Sequence, residues 1–199
     1  KPDTETTDKP ADTDKPVTPQ KGFSDVSDSH WAKSFITTLS ELGVISGFED
    51  GSFRPNDAVT REQFVKMIVE MFKLENNGEM KNFADVSVSH WAKNYIEAAV
   101  ANEIISGMGD GVFGIGKELS RQDAAVIIVR TANKLGIKLE GNASIDFNDE
   151  DEFGSYAKES IDSLVKAGII NGIDGKFVPN GAITRCQCAK ILCALLAAR

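Results

Sequence analysis

The chain repeats itself, and that constrains its fold more than any other feature. Phe23-Ser24-Asp25-Val26 returns as Phe83-Ala84-Asp85-Val86, and Ser29-His30-Trp31-Ala32-Lys33 as Ser89-His90-Trp91-Ala92-Lys93. The offset is 60 residues and still holds at Phe53/Phe113 and Arg61/Arg121. A third copy opens at Phe147-Asn148-Asp149 and places Tyr156-Ala157-Lys158 where Trp-Ala-Lys stood. Gly168-Ile169-Ile170-Asn171-Gly172 matches Gly43-Val44-Ile45-Ser46-Gly47, and Thr184-Arg185 matches Thr60-Arg61. One residue is inserted before Tyr156 and one is lost near Asp174. Tandem copies mean one supersecondary unit used three times, so the fold must let three units bury one another's apolar faces.

Each copy has the same local grammar. An extended Phe-x-Asp opening leads into an amphipathic helix, whose core face is predicted at Trp31, Phe35, Leu39 and Leu42 in the first copy. Gly43, or Gly47 after the pair Val44-Ile45, ends it. A loop runs from Gly47 to Val59, with Asp50-Gly51 as a turn; Asp110-Gly111 is the same turn in copy two. A second helix starts at Thr60, Ser120 or Thr184, hydroxyl residues suited to the N-cap. Asp123, three residues after Ser120, is expected to complete a capping box. His30 and His90 read as surface residues ahead of the tryptophans.

The second helix is apolar nearly all round, with Phe64, Val65, Met67, Ile68, Val69, Met71 and Phe72 in copy one. Such a helix needs burial on several sides, which about fifty residues cannot supply alone. The expected fold is all-α: three helix-loop-helix copies closed around a pseudo-threefold axis. The second helices form its shared central bundle and the first helices pack outside. End copies that resemble the middle one favour closure over an open stack. The copies are bounded at residues 23–74, 83–136 and 147–199. Residues 1–22, with four of the six prolines and five Thr, read as a disordered Thr/Pro linker.

Composition narrows the function. Apolar residues make up 41% and charged residues 26%, a globular balance. No run approaches 18 apolar residues, so no membrane insertion is expected. A net charge of −8 argues against a nucleic-acid partner, which needs a basic face. Two His and three Cys leave little for metal or nucleophile chemistry, and neither metal nor cofactor is expected. Cys186, Cys188 and Cys193 are badly spaced for disulfides on one helix and read as small buried apolar residues. The chain begins at Lys1 without a charged-then-apolar leader, so it reads as a piece of a longer mature protein.

These residues together resemble the S-layer homology (SLH) domain family. The carriers are Phe-x-Asp-Val, Trp-Ala at the start of helix one, the Gly-Ile/Val-Ile-x-Gly segment, the Phe-x-Pro loop and a Thr-Arg-Ala-Glu-like start of helix two. The likeness covers about residues 23–199. It implies a pseudo-threefold spindle of three copies and noncovalent attachment of bacterial surface proteins to the cell wall, hence a secreted module at the cell surface or S-layer. The ligand it implies is an anionic secondary cell-wall polysaccharide, often carrying pyruvate ketals on N-acetylmannosamine. The chain departs from the pattern in places. Its four-residue motif reads Thr60-Arg61-Glu62-Gln63, Ser120-Arg121-Gln122-Asp123 and Thr184-Arg185-Cys186-Gln187. Ile115-Gly116 replaces Pro55-Asn56 and Pro179-Asn180, and Tyr156 replaces Trp. The three grooves are therefore expected to differ.

The candidate ligand-binding residues follow from what a pyruvate ketal presents, a carboxylate on a rigid sugar. Thr60, Ser120 and Thr184 open helices whose N-terminal amides and dipole suit an anion. Arg61, Arg121 and Arg185 each add a planar fork for the carboxylate. Trp31, Trp91 and Tyr156 either pack on a sugar face or lie at the core edge. Gly47, Gly107 and Gly172 either admit the ligand to the backbone or end helices. Asp25, Asp85 and Asp149 either accept from sugar hydroxyls or serve the fold. The arginines carry a structural alternative too, as interlocks between copies. The leading reading is a noncatalytic, monomeric wall-anchoring module, with avidity from three grooves. A protein–protein docking module of a surface layer is the alternative. A wall glycosidase is the third, disfavoured because the motif acids vary between copies.

Overall fold

The structure, a computed structural model, describes residues 22–78 and 81–199, so the linker expected at residues 1–22 lies, but for Gly22, outside the described residues. Among these residues the first helices are α1 (Lys33–Glu41), α3 (Lys93–Ala101) and α5 (Lys158–Lys166). The second helices are α2 (Arg61–Phe72), α4 (Arg121–Leu135) and α6 (Arg185–Ala197). The only other regular element among them is a 3-10 turn over Glu150–Glu152, and β pairing is confined to isolated bridges. The fold is all-α, as expected.

The first helices bury a different face from the one expected. Ala32, Ile36 and Leu39 are buried and Phe35 is half-buried, whereas Trp31 is 55% and Leu42 51% exposed. The reason is local: Trp31 precedes the first helical residue and Leu42 follows the last. His30 and His90 are half-buried and start these helices, their Nδ1 atoms accepting from the N–H of Ala32 at 3.1 Å and of Ala92 at 3.2 Å. Gly43, at φ +70°, then turns α1 back so that the Val44 N–H reaches the Leu39 carbonyl at 2.9 Å.

Closure is cyclic. α2 packs on α3, α4 on α5, and α6 returns to α1, so every second helix lies against the first helix of the next copy. The second helices are buried as expected, with every α2 residue except Glu70 out of solvent. Their closest helical partners, however, are first helices and not one another. What joins the three second helices is the extended residue two places before each. The Val59 N–H donates to the Ile183 carbonyl at 3.0 Å, Ile183 to Leu119 at 2.9 Å and Leu119 to Val59 at 2.9 Å. This three-membered ring of backbone hydrogen bonds marks the pseudo-threefold axis. One continuous apolar core runs through all three copies.

The irregularities of copy three fall in loops. The inserted residue is absorbed near the 3-10 turn at Glu150–Glu152. The lost one tightens a turn: Phe48 N–H to Ser52 O and Met108 N–H to Val112 O, both 2.8 Å, become Ile173 N–H to Lys176 O at 2.8 Å. Cys186 and Cys188 are buried and Cys193 half-buried, all as free thiols. Burial pushes the Cys188 thiol well above its usual range and Cys193 up to about 11, which suits their reading as apolar filler.

Candidate functional site

The Phe-x-Pro loop of each copy is held from two sides. On the first side stands the aspartate of its own copy. Asp25 accepts from the N–H of Phe53 and of Arg54, both at 2.7 Å. Asp149, 3% exposed, accepts from Phe177 at 2.8 Å and Val178 at 2.7 Å. Asp85 accepts from Phe113 at 2.8 Å, Gly114 at 2.6 Å and Ile115 at 3.0 Å. These bonds hold a strained turn, since Arg54 (φ 57°) and Val178 (φ 59°) sit in the left-handed region, at roughly 1–2 kcal/mol each. In all three copies both carboxylate oxygens are occupied by backbone amides, so the aspartates serve the loop.

This predicts a pH dependence. Burial raises the Asp85 carboxyl, but its three backbone N–H partners outweigh that and leave it below its usual value. The folded pKa lies below the unfolded one. The contribution is therefore present above about pH 4 and is lost as pH falls through the depressed folded value. Urea midpoints measured from pH 5 downward should fall more steeply in the wild type than in Asp85→Asn, which has no such group to titrate.

On the loop's other side stands the arginine of the preceding copy. Arg185 donates through Nε to the Phe53 carbonyl and through Nη2 to Ser46, both at 2.8 Å. Arg121 donates through Nε to Phe177 at 2.7 Å and through Nη2 to Asn171 at 3.3 Å. Each guanidinium also lies over the loop phenylalanine, 4.4 Å from the Phe53 centroid and 4.9 Å from Phe177. Arg61 differs. Its Nε is buried with no hydrogen-bond partner among the described residues, and its Cζ lies 5.3 Å from the Phe113 centroid. The Ser106 carbonyl, counterpart of Ser46 and Asn171, is taken instead by Lys81 Nζ at 2.8 Å. The three arginines are 8%, 7% and 6% exposed. Burial pulls Arg61 and Arg121 below the usual guanidinium value, against Asp123 and Asp149 respectively.

The helix starts are less open than the sequence suggests. The N–H of Arg61 goes to the Lys117 carbonyl at 2.9 Å, that of Arg121 to Gly181 at 2.9 Å and that of Arg185 to Asp57 at 3.0 Å. The next amides of α4 and α6 go to Pro179 at 3.1 Å and Pro55 at 2.9 Å. The first amide of every second helix, and the second of α4 and α6, is thus consumed by ring closure. Gln63 and Gln187 close the side-chain half of a capping box, accepting the N–H of Thr60 and of Thr184 at 3.1 Å each, while the Thr60 hydroxyl is buried with no hydrogen-bond partner among the described residues. Ser120 caps α4 by accepting the Asp123 N–H at 3.2 Å. The Asp123 carboxylate does not complete the box; it turns out to the Tyr156 hydroxyl at 2.7 Å. Burial and that bond push the Tyr156 phenol up to about 12, which keeps it a donor.

Gly47, Gly107 and Gly172 serve a packing need. A Cβ would meet the Phe23 ring at 2.4 Å, Phe83 at 2.6 Å and Phe147 at 2.7 Å, with a loop carbonyl within 2.9 Å in every case. They let the Phe-x-Asp ring lie flat under the loop.

The aromatic residues fare differently from one another. Trp31 reaches a cleft of about 290 Å³ walled by Arg121 and α4, by the loop from Ile169 to Phe177, and by α6. All three copies contribute to it, and its size sits near the lower end of small-ligand pockets. By the same cyclic order Trp91, half-buried, belongs with Arg185, and Tyr156, 59% exposed, with Arg61. Gln187 and Lys190 line the Trp31 cleft as well, and neither was picked out from the sequence as a ligand residue. The signal was available in the register of the second helix, where Lys66, Val126 and Lys190 occupy one repeat position. Among the described residues no group of three or more His, Cys, Asp or Glu is placed to hold a metal, and no helix is long and apolar enough to cross a membrane.

Comparison with known proteins agrees with this architecture. The S-layer homology domain model matches residues 22–65, 82–125 and 146–187. The chain is 32% identical over 176 residues to an exoglucanase XynX of Acetivibrio thermocellus, covering 87% of this chain and 16% of that protein. It is 31% identical to an amylopullulanase of Thermoanaerobacterium thermosulfurigenes, covering 88% and 10%. It is 30% identical to the S-layer protein sap of Bacillus anthracis, covering 86% and 21%. The chain thus spans a tenth to about a fifth of the length of these relatives. With three copies matched in order and closed into a ring, the chain belongs to the S-layer homology domain family, noncatalytic modules that attach proteins to the wall or S-layer at the bacterial cell surface.

Proposed function

We propose that this module anchors its parent protein by binding a pyruvylated secondary cell-wall polysaccharide in the clefts between copies, acting as a monomer. The observation that carries this is the cleft in which Trp31, Arg121 and the Asn171-Gly172 loop meet from three different copies. An exposed indole offers a face to a sugar ring, and a guanidinium in the wall attracts a positioned carboxylate. Arg121 spends Nε and Nη2 on carbonyls, so its part toward the ligand is chiefly its charge. Closure within one chain supports the monomer: the ring that buries every second helix needs no second molecule. The net charge of −8 fits a wall that is itself anionic, because focused cations select a carboxylate where a basic surface would bind indiscriminately.

The test is calorimetry of the 199-residue chain against purified wall polymer, intact and depyruvylated. Binding is expected to need the ketal. Trp31→Ala is expected to weaken it about 10-fold, roughly 1.4 kcal/mol. Equal binding to both polymers would overturn the carboxylate reading. Failure to bind either, with concentration-dependent self-association, would favour docking between surface proteins.

A further inference from the structure

One turn into each second helix is a repeat position that the arginine clasp leaves unused, held by Lys66, Val126 and Lys190. The three differ in a way that bears on which cleft receives a charged sugar. Lys190 lines the cleft of Trp31 and Arg121, is half-exposed, and takes part in none of the ion pairs formed among the described residues. That lining holds two cations and no carboxylate. Gln187, its counterpart to Asp123, is neutral and already caps α6.

The Arg61 cleft is built in the opposite sense. Val126 supplies no charge, and the Asp123 carboxylate that acts on Arg61 bonds to that cleft's own Tyr156, whereas Asp149, the counter-charge of Arg121, is buried and outside the lining of the Trp31 cleft. The hollow that Tyr156 and Val126 line mixes the cations Arg130, Lys138 and Lys166 with the carboxylates Glu140 and Glu159. In the Arg185 cleft, Lys66 is only 9% exposed, buried with the rest of α2, and Trp91 is half-buried where Trp31 is open. One cleft therefore combines an open indole, an accessible ammonium and an acid-free wall.

We infer that Lys190 is the residue that meets the ligand carboxylate, and that the Trp31–Arg121–Lys190 cleft is the carboxylate-selective one of the three. Arg121 holds the wall and adds charge from behind; Lys190 keeps its three N–H donors for the ligand. Selectivity for an anionic sugar then comes from a side chain outside the motif that defines the repeat. The inference rests on the proposed wall-polymer reading, so its test must separate the two.

The probes are the methyl glycoside of N-acetylmannosamine with and without its pyruvate ketal, titrated into the full chain. Lys190→Met should weaken the ketal sugar about 10- to 100-fold, the worth of one charged hydrogen bond, and leave the ketal-free sugar unchanged. Lys190→Arg should recover most of that loss, which a merely structural lysine would not show. The double change Asp123→Gln with Val126→Lys should raise the number of ketal-sugar sites from one to two. Ketal-selective wild-type binding that Lys190→Met leaves within twofold would overturn the assignment and spare the wall-polymer reading. No ketal preference in the wild type would overturn both.

Discussion

A chain ended after residue 146, carrying two complete copies, is expected to lose its cooperative unfolding transition and most of its helical signal. The cause is the order of packing. α1 has α6 as its helical partner, and α4 has α5, so the cut exposes a face at both ends of the remaining pair. Ile36 and Leu39, now 1% and 0% exposed, lose the helix that covers α1. The ring through Val59, Leu119 and Ile183 opens, and Leu119 and Val59 keep one of its three bonds. A small domain has only about 5–15 kcal/mol of stability to lose, and the cut removes more burial than that represents. An open stack behaves differently, because removing an end unit leaves the other interfaces intact. Far-UV circular dichroism with urea titration decides it. A cooperative transition in the two-copy chain at a midpoint near that of the whole would refute cyclic closure.

Much of this fold was legible in the sequence because three copies vote on each position. Phe-x-Asp, Trp/Tyr-Ala-Lys and Thr/Ser-Arg recur in one order, and their recurrence set the helix starts correctly at Thr60, Ser120 and Thr184. Periodicity was weaker evidence than recurrence. It put Trp31 and Leu42 on the buried face of α1, where they satisfy the spacing but stand outside the helix. Ala32, the true core residue, is small and easily passed over.

Closure was legible, but its means were not. A helix apolar on all sides says that it must be surrounded; it does not say by which neighbour. That each second helix lies on the next copy's first helix is a matter of loop path, and the loop is set by backbone bonds to Asp25, Asp85 and Asp149. The same limit applies at the candidate site. Thr/Ser-Arg at a helix start looks like an anion site when the helix is considered alone. In the ring, the first amides are taken by carbonyls of the next copy, a pairing that sequence spacing cannot reveal. Asp123, the one acid kept at the fourth motif position, and Tyr156, which replaces Trp, stood unconnected in the sequence, yet they bond to one another across two copies.

The three arginines stand at one repeat position and are expected to respond unequally to the same substitution. Arg121→Met and Arg185→Met should each cost about 3 kcal/mol, since each leaves buried carbonyls without their charged donor. For Arg185 these are Phe53 and Ser46, and for Arg121 they are Phe177 and Asn171. Arg61→Met should be neutral or stabilising. Its Nε has no partner to lose, and the Ser106 carbonyl is served by Lys81 in any case. A buried guanidinium with its Nε unpaired, offset by the Asp123 charge and the Phe113 ring, is worth no more than an apolar chain of similar length. The measurement is a urea denaturation series on the three single variants. Equal losses at all three positions would mean that the clasp is not what Arg121 and Arg185 contribute. A loss confined to Arg61 would invert the account. The unequal result would also explain why arginine substitutions alone make poor reporters of ligand binding in this module. At two of the three positions they break the ring before they test the site, whereas Trp31 and Lys190 stand at the cleft without holding it together.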